Sequence, residues 1–342
     1  MLFILLGIFI AGCLDGTAQS NQYKVMCVGF YNLENMFDTI DSPNTNDGDF
    51  TPSGSKQWSA KRYRQKLHNM AEVIAKIGSE YVVGGPHVLG LSEMENRAVL
   101  EDLVKEPELL PSDYGIVHYN SPDERGIDVA LLYKKKDFRV ISTGTHELHF
   151  DFDRNDLTRA QLLVTGIWEG DTLHMIVNHW PSRGGGELKS RPKRNAAGDL
   201  TRHLVDSLFQ INPKAKVIVM GDLNDNPDNA SVKEHLNSGG KRDKLKPGQL
   251  YNPYYKVFKR GVGTTAYRDA WSLFDQLIIS PGLISKDKAH VAYWKAHIFR
   301  PRFILNDEGK FKGYPKRTFS YNRFQNGYSD HFPVYLFLLK NK

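Results

Sequence analysis

Val217-Ile218-Val219-Met220-Gly221-Asp222-Leu223-Asn224-Asp225-Asn226-Pro227 passes from an unbroken apolar run straight into turn residues. Four apolar residues in a row read as a strand buried on both faces, and Asp, Asn and Pro all favour turns. Gly221, between the two, lets backbone pack closely beneath whatever the turn presents. A plain turn would account for the stretch. So would an Asp aimed at an attacking water, with an amide beside it to hold that water or a phosphoryl oxygen. The rest of the chain decides between the two readings.

The same design recurs. Short runs rich in β-branched and aromatic residues read as strands over residues 25–31, 88–92, 129–133, 162–167, 172–177, 217–220, 276–279 and 334–339. The first ends in Asn32-Leu33-Glu34, the second in Glu93, and the run at 172–177 in Asn178-His179-Trp180. The last is preceded by Ser329-Asp330-His331. Polar and metal-ligating residues at so many strand ends suggest rigid sheets pointing them at one centre. Residues 61–77 place Leu67, Met70, Val73, Ile74 and Ile77 at helical spacing, and residues 197–209 do so with Leu200, Leu204 and Leu208. Strands with a few helices between them, no internal repeat and no long linker imply one α/β domain over about residues 24–340, with sheets packed together and helices outside.

Each polar residue has a bland alternative. Glu93 could be a solvated turn acid. Asp330 with His331 could supply one metal ligand and one proton acceptor at a strand mouth. Asp275 lies in a mostly apolar strand, where a carboxylate is costly without a partner, and His331 is the natural one. With only Cys13 and Cys27, a thiolate zinc site is excluded, so any metal is held by oxygen and nitrogen. A zinc peptidase is excluded too, because no His-Glu-x-x-His stretch occurs.

Taken in order, Asn32-Leu33-Glu34, Glu93, Asn178-His179, Gly221-Asp222-Leu223-Asn224, Asp275 and Ser329-Asp330-His331 resemble the motif set of the endonuclease/exonuclease/phosphatase superfamily. The resemblance implies the DNase I-like fold: an α/β four-layer sandwich of two packed mixed β-sheets flanked by helices. It implies Mg²⁺ or Mn²⁺ held by Glu93, Glu34 and Asp330, with Asn32 close by. Asp222 would orient or deprotonate the attacking water, and Asn224 would hold the phosphate. Asp275 and His331 would form a dyad beside the scissile group, and His179 would stabilise the transition state. Phosphoryl transfer asks mainly for positioning and charge neutralisation, which such a site supplies.

Two further stretches resemble an exported bacterial subfamily. Asp123-Glu124-Arg125-Gly126-Ile127-Asp128 leads into a strand, where Asp128 could support His179 or merely close a turn. After His179, Arg183, Lys189, Arg191, Lys193 and Arg194 are opposed only by Glu187 over residues 183–194. They read as a flexible, phosphate-contacting arm or as a solvated loop. Residues 281–329 hold ten Lys or Arg against three acids, interleaved with aromatics that could stack on nucleic acid or belong to the core.

The formal charge of +6 mildly favours an anionic partner. Residues 2–14 are apolar and too short to span a bilayer. They predict a leader, removed either after Ala18 or before Cys13, which would then carry a lipid anchor. A periplasmic, secreted or membrane-tethered location follows, and Cys27 is left as a buried structural thiol. The expected activity is metal-dependent hydrolysis of a phosphate ester, foremost a phosphodiester of DNA or RNA. A phosphatase or a sphingomyelinase-like phospholipase of the same fold is the alternative. A binding protein that has lost the chemistry would lack some of these acids, and all are present. No obligate protein partner is implied, and the chain is expected to be a monomer.

Overall fold

The computed structural model describes residues 22–43 and 45–342. The leader, with both cleavage points and Cys13, lies outside the described residues. In chain order the strands are β1 (Tyr23–Met36), β2 (Val88–Met94), β3 (Tyr114–His118), β4 (Asp128–Lys134), β5 (Arg139–His146), β6 (Gln161–Trp168), β7 (Asp171–His179), β8 (Lys216–Asp222), β9 (Ser238–Gly239), β10 (Leu250–Tyr251), β11 (Thr265–Tyr267), β12 (Ala270–Ser272), β13 (Asp275–Ile279), β14 (Ala292–Ile298), β15 (Phe319–Ser320), β16 (Arg323–Phe324) and β17 (Val334–Asn341). The principal helices are α1 (Ala60–Lys76), α2 (Arg97–Leu103) and α3 (Glu187–Ile211).

Two mixed sheets form, in the orders β14-β17-β1-β2-β4-β3 and β5-β6-β7-β8-β13-β10-β9. Alternation within each strand makes the layers. Met26, Val28 and Phe30 of β1 meet Met175, Val177, Ile218 and Met220 of the other sheet in one fully buried core. The intervening Cys27, Tyr31 and Leu33 pack with Leu67, Met70 and Ile74 of α1. On the second sheet, Ile176, Val217 and Val219 pack with Leu204, Val205 and Leu208 of α3. The run at 217–220 is apolar throughout because both of its faces are covered. Each such side chain contributes roughly 1.5–3 kcal/mol by leaving water. The result is helix, sheet, sheet, helix, as the motif set implied, and all eight expected strands are present.

Among the strands absent from the sequence reading, β3, β5, β14 and the two-residue β9 lie at sheet edges. Most of β5 is exposed or half-buried, so its sequence carries no apolar alternation to detect. The helix expected from residue 197 begins ten residues earlier, at Glu187. The segment read as a flexible basic arm is therefore largely helix.

Direction is what positions the site. β1 runs parallel to β2, and β7 to β8, so four strands end at one rim. β4, β13 and β17 run antiparallel to them and begin at that rim. The opposite rim is clamped by Asp171 at the start of β7. It accepts hydrogen bonds from Lys216 of β8, from Lys340 of β17 at 2.9 Å and from the Val291 amide at 3.1 Å, tying one sheet to the other. Burial alone would raise the Asp171 pKa, but these donors together outweigh it and hold the carboxyl at about 2.

A folded-state pKa below the unfolded one means stability gained above pH 4 and lost as the pH falls toward 2. Asp171→Asn should therefore lower thermal stability at pH 7 by on the order of 1–2 kcal/mol and flatten its dependence between pH 4 and 2. Calorimetry across that range checks both. An unchanged pH slope would show that Asp171 is not the clamp.

Candidate active site

The site begins with an irregularity. Between Asn32 and Met36 on β1, and between Ser92 and Met94 on β2, the pairing register shifts. Glu34, Asn35 and Glu93 take left-handed φ values of 50°, 52° and 61°. Non-glycine residues held there cost of order 1 kcal/mol each and cluster at functional sites. The bulge re-aims alternate side chains off the strand ends. Asn224 is also left-handed, with φ 49°, in the turn after β8.

Asn32, almost fully buried, joins the parts. Its Nδ2 donates to Asp222 Oδ2 at 3.0 Å and to Glu93 Oε1 at 3.3 Å, while its Oδ1 accepts from the Glu34 amide at 2.8 Å. The second Glu93 oxygen accepts from the Asn35 amide at 2.9 Å. Across the second sheet, His179, Asp222 and Asp275 stand in register on three neighbouring strands. Asp222 Oδ1 accepts from the Asn224 amide at 2.9 Å. Burial pushes the Asp222 pKa up to about 6, against the pull of His331. That puts a carboxylate base close to neutral pH, where proton transfer is most efficient.

His331 Nδ1 donates to Asp275 Oδ2 at 2.7 Å, and its Nε2 lies 3.8 Å from Asp222 Oδ2. Burial would lower the His331 pKa, but Asp275 and Asp222 outweigh it and hold the ring well above its ordinary value. It is an imidazolium at neutral pH. His179 is the reverse case: burial, then Arg159 and Arg125, push its pKa well below the usual range, so it is neutral. Its Nε2 lies 3.7 Å from both Glu93 Oε1 and Asp222 Oδ2.

The expected metal acids divide into two groups. Glu93 belongs with Asn32 and Asp222. Glu34 and Asp330 are bridged by Arg317, whose Nε donates to Glu34 Oε1 at 3.0 Å and whose Nη2 donates to Asp330 Oδ2 at 2.9 Å. Among the described residues, Asp222, Asp275 and His331 offer ligand atoms within 4.8 Å of one another, whereas Glu34, Glu93 and Asp330 form no such group. Burial, then Asp330, raise the Glu34 pKa to about 7 despite Arg317 and the buried Lys66. Lys66 Nζ donates to Thr318 Oγ1 at 2.6 Å, and the Thr318 amide donates to Glu34 Oε2 at 2.6 Å.

Two expectations are corrected. Asp128 does not support His179: its Oδ2 bonds His118 Nε2 at 2.9 Å and its Oδ1 accepts from the Ser121 amide at 2.7 Å. His118 stands opposite Ala130, two residues from Asp128 on the same face of the sheet, within diagonal reach. His179 Nδ1 has no protein partner. The acid that steadies the His179 turn is Asp123, working through Arg159. That guanidinium bonds Asp123 at 3.0 Å, the His179 carbonyl at 3.2 Å and the Trp180 carbonyl at 2.8 Å.

The basic arm is the second correction. Arg194 is fully buried and ion-pairs with Asp225. Arg191 is held by Glu187 one helical turn away, and Lys193 by Asp153 and Asp156. Arg183 braces the catalytic turn through the Asn224 carbonyl and Asp225, both at 2.9 Å. Asn224 spends one N–H on the Trp180 carbonyl at 2.9 Å, leaving its second N–H for a ligand. Sequence reasoning missed Lys66, Arg125, Arg159 and Arg317. Only Lys66 carried a signal, standing four residues before Met70 on the apolar stripe of α1.

The model of the endonuclease/exonuclease/phosphatase family matches residues 27–340. The chain belongs to that family. Membership makes it a phosphoesterase that works with a divalent metal. No curated protein matches the sequence. Among solved structures, truncated TDP2 of Caenorhabditis elegans is 18% identical, covering 92% of this chain and 97% of that one, with a TM-score of 0.55. D. rerio TDP2 complexed with a single-strand DNA product is 15% identical over 92% and 98%, with a TM-score of 0.53. A mannosyl-6-phosphatase of Bacteroides thetaiotaomicron is 16% identical over 92% and 99%, with a TM-score of 0.52. At these identities the likeness is one of fold.

If Asp275 and His331 act as one unit, Asp275→Asn and His331→Ala should each cost roughly 10²–10⁴ in turnover, and the double variant little more than the worse single. Steady-state kinetics of the three variants decides it. Multiplicative losses would mean two independent groups.

Proposed function

We propose that the chain hydrolyses a phosphate ester by in-line attack of water, with Mg²⁺ or Mn²⁺ as its metal. The observation that carries this reading is geometric: buried Asp222, fixed by Asn32 and the Asn224 amide, faces His331 Nε2 at 3.8 Å, and His331 Nδ1 bonds Asp275 at 2.7 Å. Asp222, fixed by Asn32 and the Asn224 amide, takes the proton of the attacking water. His331, steadied by Asp275, offers its Nε2–H to the phosphoryl group. Neutral His179 and the second Asn224 N–H are the remaining donors for developing charge.

The donor set fits a hard cation: carboxylates at Glu93, Glu34 and Asp330 with amide oxygen nearby, and no soft ligand. These acids would hold the ion, which would neutralise phosphoryl oxygen charge.

Duplex DNA as substrate loses part of its support, because Arg194 is fully buried and Lys193 is held by two aspartates. A small phosphate ester is the better reading. A nucleic-acid phosphodiester is the second, favoured by the D. rerio TDP2 structure with its DNA product and by the exposed Tyr321 on the β15–β16 hairpin. We propose as well that the protein is exported, on the strength of the apolar run at residues 2–14.

Purified protein tested against aryl phosphates, plasmid DNA, RNA, sphingomyelin and inositol phosphates should show activity that a chelator abolishes and Mg²⁺ or Mn²⁺ restores. Glu93→Gln should cost about 10² or more in turnover and weaken metal binding. Full activity of metal-free protein would end this reading.

A further inference from the structure

Two guanidinium groups stand at the mouth of the site, and neither has been given a contact with substrate in the chemistry above. Arg125, from the loop before β4, places its Nη2 3.6 Å from Glu93 Oε2 and donates to Asn35 Oδ1. Arg317, immediately before β15, spans Glu34 and Asp330. Their side chains are 42% and 51% exposed, while the Glu93 and Glu34 side chains beneath them are 14% and 4% exposed. They therefore lie between these acids and solvent, Arg125 beside Glu93 and Arg317 across Glu34 and Asp330. Other arginines nearby are committed inward: Arg159 and Arg194 are buried, and Arg183 is fixed to Asn224 and Asp225.

Arginine presents a planar fork that matches phosphate oxygens in pairs. An exposed guanidinium kept straight by a carboxylate is pre-organised for such a ligand. A diester has two non-bridging oxygens on its reacting phosphorus and a single charge. A monoester has three, and at neutral pH its charge approaches −2. Two forks beside neighbouring acids of one rim are best used by the second.

We infer that Arg125 and Arg317 form a phosphate clamp that selects a terminal phosphate, making the substrate a small phosphomonoester; this rests on the phosphoesterase reading above. While the site is empty the acids hold the two arginines; with the metal on those acids, the guanidinium groups are free to contact phosphoryl oxygen.

Binding and turnover separate the clamp from the chemistry. Inorganic phosphate titrated calorimetrically into the full chain with Mg²⁺ should bind, and Arg125→Gln or Arg317→Gln should each weaken it about tenfold or more. Asp222→Asn should keep phosphate binding and lose turnover. The wild type should prefer p-nitrophenyl phosphate to its methyl diester. Each Gln variant should lose about 10- to 100-fold in kcat/KM on the monoester and less than about threefold on the diester, with Arg→Lys recovering part of the loss. Unchanged phosphate affinity in both Gln variants, or equal losses on the two esters, would overturn the clamp. Arginine-dependent phosphate binding without hydrolysis of either ester would leave the clamp standing and remove the hydrolytic reading.

Discussion

The side-chain amide of Asn32 is the link on which the site depends. It sits at the end of a strand in one sheet, and its two N–H groups reach Glu93 in the same sheet and Asp222 in the other. Two carboxylates would otherwise repel across that gap, and a shared neutral donor between them offsets the repulsion. Its carbonyl oxygen accepts from the Glu34 amide, so the same residue also sets the bulge that aims Glu34. The sandwich brings the strand ends together. Asn32 decides how far apart the acids stand.

Buried charge is tolerated here because cations are built in beside it. Lys66 lies under Glu34 through Thr318, Arg317 joins Glu34 to Asp330, and His331 stands between Asp275 and Asp222. Each pairing offsets a desolvation cost that would otherwise neutralise the acid or unfold the rim. Burial raises the values at Glu34 and Asp222 and the cations offset it only in part, so both carboxyls remain easier to protonate than in water.

Much of this was legible in the residues. The central strands announce themselves because both of their faces are covered, as at residues 217–220, and their polar ends named most of the groups at the rim. The edge strands β3, β5 and β14 were not legible, since an edge need not alternate. Nor was the start of α3: its first turns carry charges that bond one another, and its apolar face begins only at Ala197. The left-handed backbone at Glu34, Asn35 and Glu93 leaves no trace in composition. Asp128 and Asp123 show the sharpest limit. Both are acids of one loop, and only cross-strand geometry says that the first meets His118 while the second steadies the His179 turn. The arginines at Arg125 and Arg317 were hidden for a similar reason, because charge in a loop has no period to betray where it folds back.

The position of the metal tests the account most directly. Carboxylates of two kinds compete for it: the Glu93, Glu34 and Asp330 group around the bulge, and the tighter cluster of Asp222, Asp275 and His331. Anomalous diffraction from crystals grown with Mn²⁺ would locate the ion. The ion is expected on Glu93, with His331 Nδ1 still bonded to Asp275 and Asn32 still bridging to Asp222. An ion bound by Asp222, Asp275 and His331 would contradict this, since His331 could then be neither an imidazolium nor a donor to the phosphoryl group.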